Sequence, residues 1–303
     1  MRIIVHGGAG GVPDEPAPRQ GVLDDAAARG VEQSDPLSAV ESAVRHLESD
    51  RRFNAGVGGA VQSDGVVRTD AGVMISDRAV GAASGMDGVE HAVSVARAVL
   101  EETPHILLAG APAVDFAADV GVETDVDLFT DETRERWENA DAPTGSPTEH
   151  LDWLADRFGG STSDPTAKAS DGTLTSGDLP GFDTVGAVAT DGETFASATS
   201  TGGRWFALAG RVGDVPQVGS GFYASPAGAA STTGAGEDIA RVTLARRAVR
   251  HLERGCDAQT AADLAIEEFG ELTGSDAGII LLDDEGFGSA FNSEGMQTST
   301  AEQ

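Results

Sequence analysis

Gly181-Phe182-Asp183-Thr184-Val185-Gly186-Ala187-Val188 is the stretch at which the chain changes character. Upstream, residues 159–182 are crowded with Gly, Ser, Thr, Asp and Pro and carry the only lysine, Lys168. A segment of that composition has too little apolar surface to offset its ordering entropy, and it reads as a flexible linker. Downstream, residues 184–190 and 194–200 read as two buried strands joined by a turn at Asp191-Gly192-Glu193. A linker that meets a core strand at a hydroxyl residue is what self-cleavage requires. The Thr184 hydroxyl attacks the Asp183 carbonyl, the ester hydrolyses, and Thr184 is left with a free α-amino group.

That amine matters because an alcohol is a poor nucleophile at neutral pH. An α-amino group, with a pKa of roughly 7.7–8.0, is partly neutral there and accepts the hydroxyl proton. One residue then carries nucleophile and base. Alone, a threonine opening a strand is only a good β-former; its neighbours in the rest of the chain decide the matter.

Working outward, 303 residues suffice for one large α/β domain or two smaller ones with a substantial core. Cys256 is the single cysteine, so no internal disulfide forms, as suits a reducing cytoplasm. No apolar run reaches membrane-spanning length, and Met1-Arg2-Ile3-Ile4-Val5-His6 lacks the plan of a signal peptide, so a soluble cytoplasmic protein is expected. Fifty acidic against 20 basic residues give a formal net charge of −30, and no basic stripe offers itself to nucleic acid. Self-repulsion of this size is screened only when salt shortens the Debye length, to about 3 Å at 1 M, so the composition points to a salt-rich cytoplasm.

From the N-terminus, residues 2–6 form a short apolar strand running into Gly7-Gly8-Ala9-Gly10-Gly11, which lacks a phosphate-loop ending. A helix starts at Asp35-Pro36 with Leu37, Val40, Val44 and Leu47 as its apolar stripe, and ends near Asp50. Strands are expected at 65–74 and 79–84, a helix at 89–101, a buried strand at 106–108 and weak helical signal over 115–158. Beyond the two strands after Thr184, one helix carries Ile239, Val242, Val249 and Leu252 on a single face. A further helix at 258–272 and strands at 277–282 and 287–292 follow. Alternating helices and strands predict an α/β layer architecture.

Seven short motifs then stand in order: His6-Gly7-Gly8-Ala9-Gly10; Leu47-Glu48 with Phe53-Asn54-Ala55-Gly56; Pro104-His105; Thr184-Val185-Gly186-Ala187-Val188-Ala189; Ala198-Thr199-Ser200-Thr201-Gly202-Gly203; Gly210-Arg211-Val212-Gly213-Asp214; and Thr233-Gly234-Ala235-Gly236-Glu237. With them the sequence resembles the plant-type asparaginase, or isoaspartyl peptidase, family of N-terminal-nucleophile hydrolases. The resemblance implies an αββα four-layer sandwich, cleaved into a large subunit of residues 1–183 and a small one of 184–303, and a homodimer of cleaved protomers. It implies Thr184 as nucleophile, Thr201 bonded to it, Asn54 nearby, and an oxyanion hole from the Thr233 hydroxyl and the Gly234 amide. Arg211 is expected to grip a substrate α-carboxylate, and Asp214 with the Gly236 carbonyl its α-ammonium. No catalytic cofactor is implied. A structural sodium, or potassium in a brine-filled cell, is expected on backbone carbonyls of Leu47, Glu48, Asp50, Phe53, Ala55 and Val57.

The implied substrates are small molecules, asparagine and β-aspartyl dipeptides. Asp183 is the residue that the glycosylasparaginase branch carries before its nucleophile, so a glycosylated asparagine is the alternative; a non-catalytic binding relative is the other. Ala235 stands where the family often has Thr or Asn. The charge reading predicts that dialysis into dilute buffer lowers helical circular dichroism and activity together, and full retention of both would contradict it.

Overall fold

Alternating side chains along buried strands decide how the layers stack. The computed structural model describes residues 1–13, 15–158 and 184–303. A seven-stranded sheet has the order β11 (Gly295–Glu302), β1 (Arg2–Gly10), β5 (Val185–Thr190), β6 (Phe195–Thr201), β2 (Arg68–Ile75), β3 (Val80–Asp87), β4 (Leu107–Ala109). All its pairings are antiparallel except β3 with β4. The second sheet is antiparallel, in the order β10 (Phe287–Phe291), β9 (Ala277–Leu282), β8 (Gly228–Gly234), β7 (Phe222–Ser225).

One face of the large sheet, through Ile3, Val5, Val73, Ala187 and Ala198, buries the helices α1 (Pro16–Val31), α2 (Pro36–Glu48) and α3 (Ala92–Glu102). The small sheet packs Ala230, Ile279 and Leu281 against α7 (Gly236–Val242), α8 (Leu244–Glu253) and α9 (Ala258–Thr273). Between the sheets lie Ile4, Met74, Val188, Phe195, Phe222, Ala229, Ile280 and Leu282. The layers are therefore helix, sheet, sheet, helix, as the motifs led us to expect. The helices α4 (Ala111–Asp119), α5 (Asp131–Glu138) and α6 (Leu151–Phe158), with a 3₁₀ turn at Pro147–His150, account for the weak helical signal before the linker.

Local signals hold at most boundaries. Asp35 caps α2, its carboxylate accepting the Ser38 N–H at 2.8 Å, and Leu37, Val40, Val44 and Leu47 are all buried. Three expectations need correction. The helix expected to carry Ile239 through Leu252 is broken at Thr243, whose φ of 54° and ψ of 58° are left-handed, so α7 and α8 are separate. The strand near 106–108 is an exposed edge rather than a buried one, with Ile106 and Leu107 facing out, because it pairs only with β3. Finally α1, β7, β8 and β11 escaped the sequence reading: α1 buries mostly alanine, leucine and glycine between charged residues, β7 spans only 4 residues, and β8 and β11 are small and hydroxyl-rich with little periodic contrast. Asp183 and the linker at 159–182 lie outside the described residues.

Where Gly72 of β2 faces Phe222 of β7, a side chain is excluded. A Cβ on Gly72 would stand 2.0 Å from the Phe222 ring. Gly72→Ala should accordingly destabilise the fold by about 1–3 kcal/mol in denaturant titration, and an unchanged midpoint would show that the sheets separate freely.

Candidate active site

Residues two apart on a strand share a face, so the inner faces of both sheets can be read as rows. On β6 the row runs Phe195, Ser197, Thr199, Thr201; on β5 it runs Val188, Gly186, Thr184; on β2, Met74, Gly72, Asp70; on β1, Ile4, His6; on β8, Ala229, Ser231, Thr233. Each row begins apolar and ends in a polar side chain: Thr201, Thr184, Asp70, His6 or Thr233. The inner space is thus oily at one end and polar at the other, and the site lies at the polar end.

The pairing of Val185 with Ser200 brings Thr184 beside Thr201. The Thr184 hydroxyl donates to Thr201 Oγ1 at 3.2 Å. Thr201 Oγ1 also accepts the Gly203 N–H at 3.1 Å and sends its own proton to the Asn54 carbonyl at 3.4 Å. Asn54 is tied to the same corner: its Nδ2 donates to the Gly203 carbonyl at 2.6 Å, and its Oδ1 accepts from the Ala60 N–H at 2.8 Å. The structure therefore brings Thr184, Thr201 and Asn54 together.

Beneath Thr184 runs a buried chain of hydrogen bonds, from His6 Nε2 to Ser231 Oγ at 2.9 Å and on to Thr199 Oγ1 at 2.6 Å. Burial lowers the His6 pKa to about 3, against the opposing pull of the Thr184 backbone, so the imidazole is neutral. A Cβ on Gly186 would stand 2.0 Å from Ser231 Oγ, which is why that row has glycine there. Two residues beyond Ser231, the fully buried Thr233 accepts the Ala9 N–H on its Oγ1 at 3.3 Å. Gly234 follows at φ 135°, where a Cβ would collide with the Asp276 carbonyl at 2.5 Å.

Arg211, Asp214 and Gly236 also converge. A Cβ on Gly236 would stand 2.7 Å from Asp214 Oδ1 and 2.8 Å from Arg211 Nη2, and one on Gly213 would meet the guanidinium at 2.7 Å. Glu237 holds Arg211 by one edge, accepting from Nε and Nη2 at 2.8 Å each. A guanidinium has five N–H donors, so the Nη1 side remains for a second carboxylate. Burial raises the Glu237 pKa, but its bonds to Arg211 and the Arg204 charge outweigh that and bring it to about 2. Asp214 is buried with no hydrogen bond to Oδ2 among the described residues. Burial pushes its pKa up to about 7 despite Arg211. Asp214 is therefore buried and the Arg211 side chain is only 16% exposed, so neither belongs to a surface ion pair between the two.

Three residues without an assigned role in the sequence reading help to shape this site. Gln62 donates to the Arg211 carbonyl at 3.1 Å and accepts from the Gly210 N–H at 2.8 Å, pinning the loop that carries Arg211. Asp70 lies opposite Thr201 and accepts the Gly85 N–H at 2.7 Å, its pKa raised to about 6 by burial. Glu237 closed a motif, yet nothing in the sequence linked it to an arginine 26 residues earlier.

In the loop from Leu47 to Val57, the carbonyls of Leu47, Glu48 and Asp50 accept the N–H groups of Asp50, Val57 and Phe53. Among the described residues no backbone N–H is directed at the carbonyls of Phe53, Ala55 or Val57. The Glu48 side chain points away from solvent, accepting from Ser200 Oγ at 2.6 Å and Val93 N–H at 3.0 Å.

The layered αββα fold, with a threonine opening an inner strand at the polar end of the sandwich, is that of the N-terminal-nucleophile hydrolases. The chain belongs to the asparaginase family, whose model, described as Asparaginase, matches residues 1–303. It is 39% identical over 291 residues to the plant-type L-asparaginase of Thermococcus kodakarensis, covering 94% of this chain and 90% of that protein. It is also 38% identical over 295 residues to the plant-type L-asparaginase of Pyrococcus furiosus, covering 94% and 91% respectively. To the isoaspartyl peptidase/L-asparaginase of Rattus norvegicus it is 36% identical over 297 residues, covering 94% of this chain and 80% of the rat protein. No helix among the described residues is long and apolar enough to cross a membrane.

The burial of Asp214 makes a direct prediction. Carbon-detected NMR of aspartate carboxyls should show a titration with midpoint near pH 7 that Asp214→Asn removes; a midpoint for that residue in the ordinary carboxylate range would contradict the desolvation argument.

Proposed function

We propose that this chain is an autoprocessing amidohydrolase that cleaves the side-chain amide of asparagine and the isopeptide bond of β-aspartyl dipeptides. The observation that carries this reading is the pairing of Thr184 with Thr201 at one end of a buried polar row, where Asp70, the strand neighbour of Thr201, lies within electrostatic reach of the converging Arg211 and Asp214. The names of the relatives support the substrate class.

Cleavage before Thr184 leaves two pieces interleaved in one sheet, because β5 of the second piece pairs with β1 of the first. The free amine takes the Thr184 hydroxyl proton, and Oγ1 attacks the substrate's side-chain carbonyl carbon. Negative charge develops on the carbonyl oxygen, which the Thr233 hydroxyl and Gly234 N–H receive, each such donor contributing about 10²–10³ in rate. The C–N bond breaks as the amine returns its proton to the leaving nitrogen. Water, deprotonated by the same amine, then hydrolyses the aspartyl ester.

Selectivity follows from the clamps. The Nη1 side of Arg211 takes the α-carboxylate, while Glu237 keeps the guanidinium in plane. Asp214 takes the α-ammonium and ionises fully as it does so. An α-linked peptide has no free α-carboxylate to offer Arg211, so only amides through the β-carboxyl fit.

The loop 47–57 fits a sodium or potassium ion on its carbonyls, since those of Phe53, Ala55 and Val57 receive no backbone N–H among the described residues. Such an ion would be structural and take no part in the reaction, tying together the carbonyls of the loop that carries Asn54.

Mass spectrometry of protein incubated at high salt should show two fragments, one beginning at Thr184, and Thr184→Ala should leave the chain intact and inactive. Ammonia release from asparagine, cleavage of a β-aspartyl dipeptide and hydrolysis of a glycosylated asparagine should be compared. Turnover of the last alone would place the protein in the other branch. With the preferred substrates kcat/KM should rise with pH through about 7 as Asp214 ionises.

A further inference from the structure

Arg204 stands one residue beyond Gly203, whose N–H and carbonyl bond Thr201 and Asn54. Its guanidinium lies 4.3 Å from the Phe158 ring centroid. Its nearest carboxylate among the described residues is Glu237, at 3.8 Å from Nη1, and Glu237 is already held by Arg211 at 2.8 Å. The Arg204 Nε is buried with no hydrogen-bond partner among the described residues. The side chain is still 32% exposed, so a ligand can reach it. Arg204 is thus an arginine at the site whose donors are largely unspent. Leaving such a group without partners is costly, which points to an anionic ligand group that completes it.

Phe158, the ring beneath Arg204, packs against an aromatic cluster. Trp137, Trp153 and Trp205, all three tryptophans of the chain, surround Phe206, with Trp153 and Trp205 set edge-on at centroid distances of 5.5 and 5.6 Å. This cluster joins the segment ending at Phe158 to the loop that follows Thr201. Trp205 and Phe206 are buried within it and Arg136 and Arg157 lie over its rings, so Phe158 is the ring on which Arg204 itself rests, with the guanidinium edge left for a ligand.

We propose that Arg204 is a specificity-determining residue that binds the terminal carboxylate of the amino acid released from a β-aspartyl dipeptide. Such a dipeptide carries two carboxylates, whereas free asparagine carries one. Arg211 serves the first, on the aspartyl unit. Arg204 and Arg211 both lie within 4 Å of the same Glu237 oxygen, a separation that two carboxylates of one small molecule can span. The charges facing Arg204 are Glu237 and Asp238, which favour its cationic form, and Arg211, which opposes it, while burial itself lowers its pKa. A substrate carboxylate restores the balance.

The proposal rests on the amidohydrolase reading and is tested by comparing a β-aspartyl dipeptide with its C-terminal carboxamide, in the full-length protein and in Arg204→Gln and Arg204→Lys. In the unmodified protein kcat/KM should favour the acid over the amide by about tenfold or more, as a charge-assisted contact at a partly buried site requires. In Arg204→Gln the ratio should fall to about one, and Arg204→Lys should recover part of it. Arg204→Gln should also raise KM for the dipeptide more than for asparagine. An acid-to-amide ratio near one in the unmodified protein, or the same ratio in Arg204→Gln, would overturn the assignment while leaving the amidohydrolase reading intact. Absence of any amide hydrolysis would overturn both.

Discussion

The contact on which the rest of this structure depends is the 3.2 Å hydrogen bond between two threonine hydroxyls on neighbouring strands. It exists because β5 and β6 pair antiparallel in one register, with Val185 opposite Ser200. A slip by one residue would turn every hydroxyl of the inner row toward the helices and every alanine toward the second sheet. The outer row of Val185, Ala187 and Ala189, packed beneath the helices, forbids that slip. Apolar burial on one face of the sheet thus fixes the chemistry on the other.

A second consequence of the same alternation is the change from oil to polar groups between the sheets. Phe195, Met74, Ile4 and Ile280 exclude water from one end, while His6, Ser231 and Thr199 form a hydrogen-bonded chain toward the other. Buried hydroxyls are tolerated only when they are bonded, and here each bonds its neighbour or a backbone carbonyl. The glycines at 72 and 186 belong to the same design. They give room to the Phe222 ring and to the His6–Ser231 contact respectively.

Electrostatics at the mouth follow from crowding opposite charges at partly dry positions. Glu237, 44% exposed, stays ionised because Arg211 grips it, whereas Asp214 is driven toward neutrality by burial, one of its oxygens having no hydrogen bond among the described residues. The two carboxylates are distinguished by partners rather than by chemistry. A chain of net charge −30 concentrates two of its 19 arginines here, Arg204 and Arg211, at one Glu237 carboxylate oxygen.

Much of this was legible in the amino-acid order. The caps and stripe of α2, the strands after Thr184, and the candidate residues Thr184, Thr201, Arg211 and Asp214 were readable because each is a local pattern or a short motif. The break at Thr243 and the strands β7, β8 and β11 were not, since backbone conformation there is set by packing partners distant in the chain. The Glu237–Arg211 grip, the pinning of the Arg211 loop by Gln62 and the placement of Arg204 on Phe158 join residues 26 to 149 positions apart. The sequence alone determined which groups are available and which strands carry them. Tertiary structure alone decided which of them face one another, because burial and charge pairing are properties of neighbours in space that no local pattern encodes.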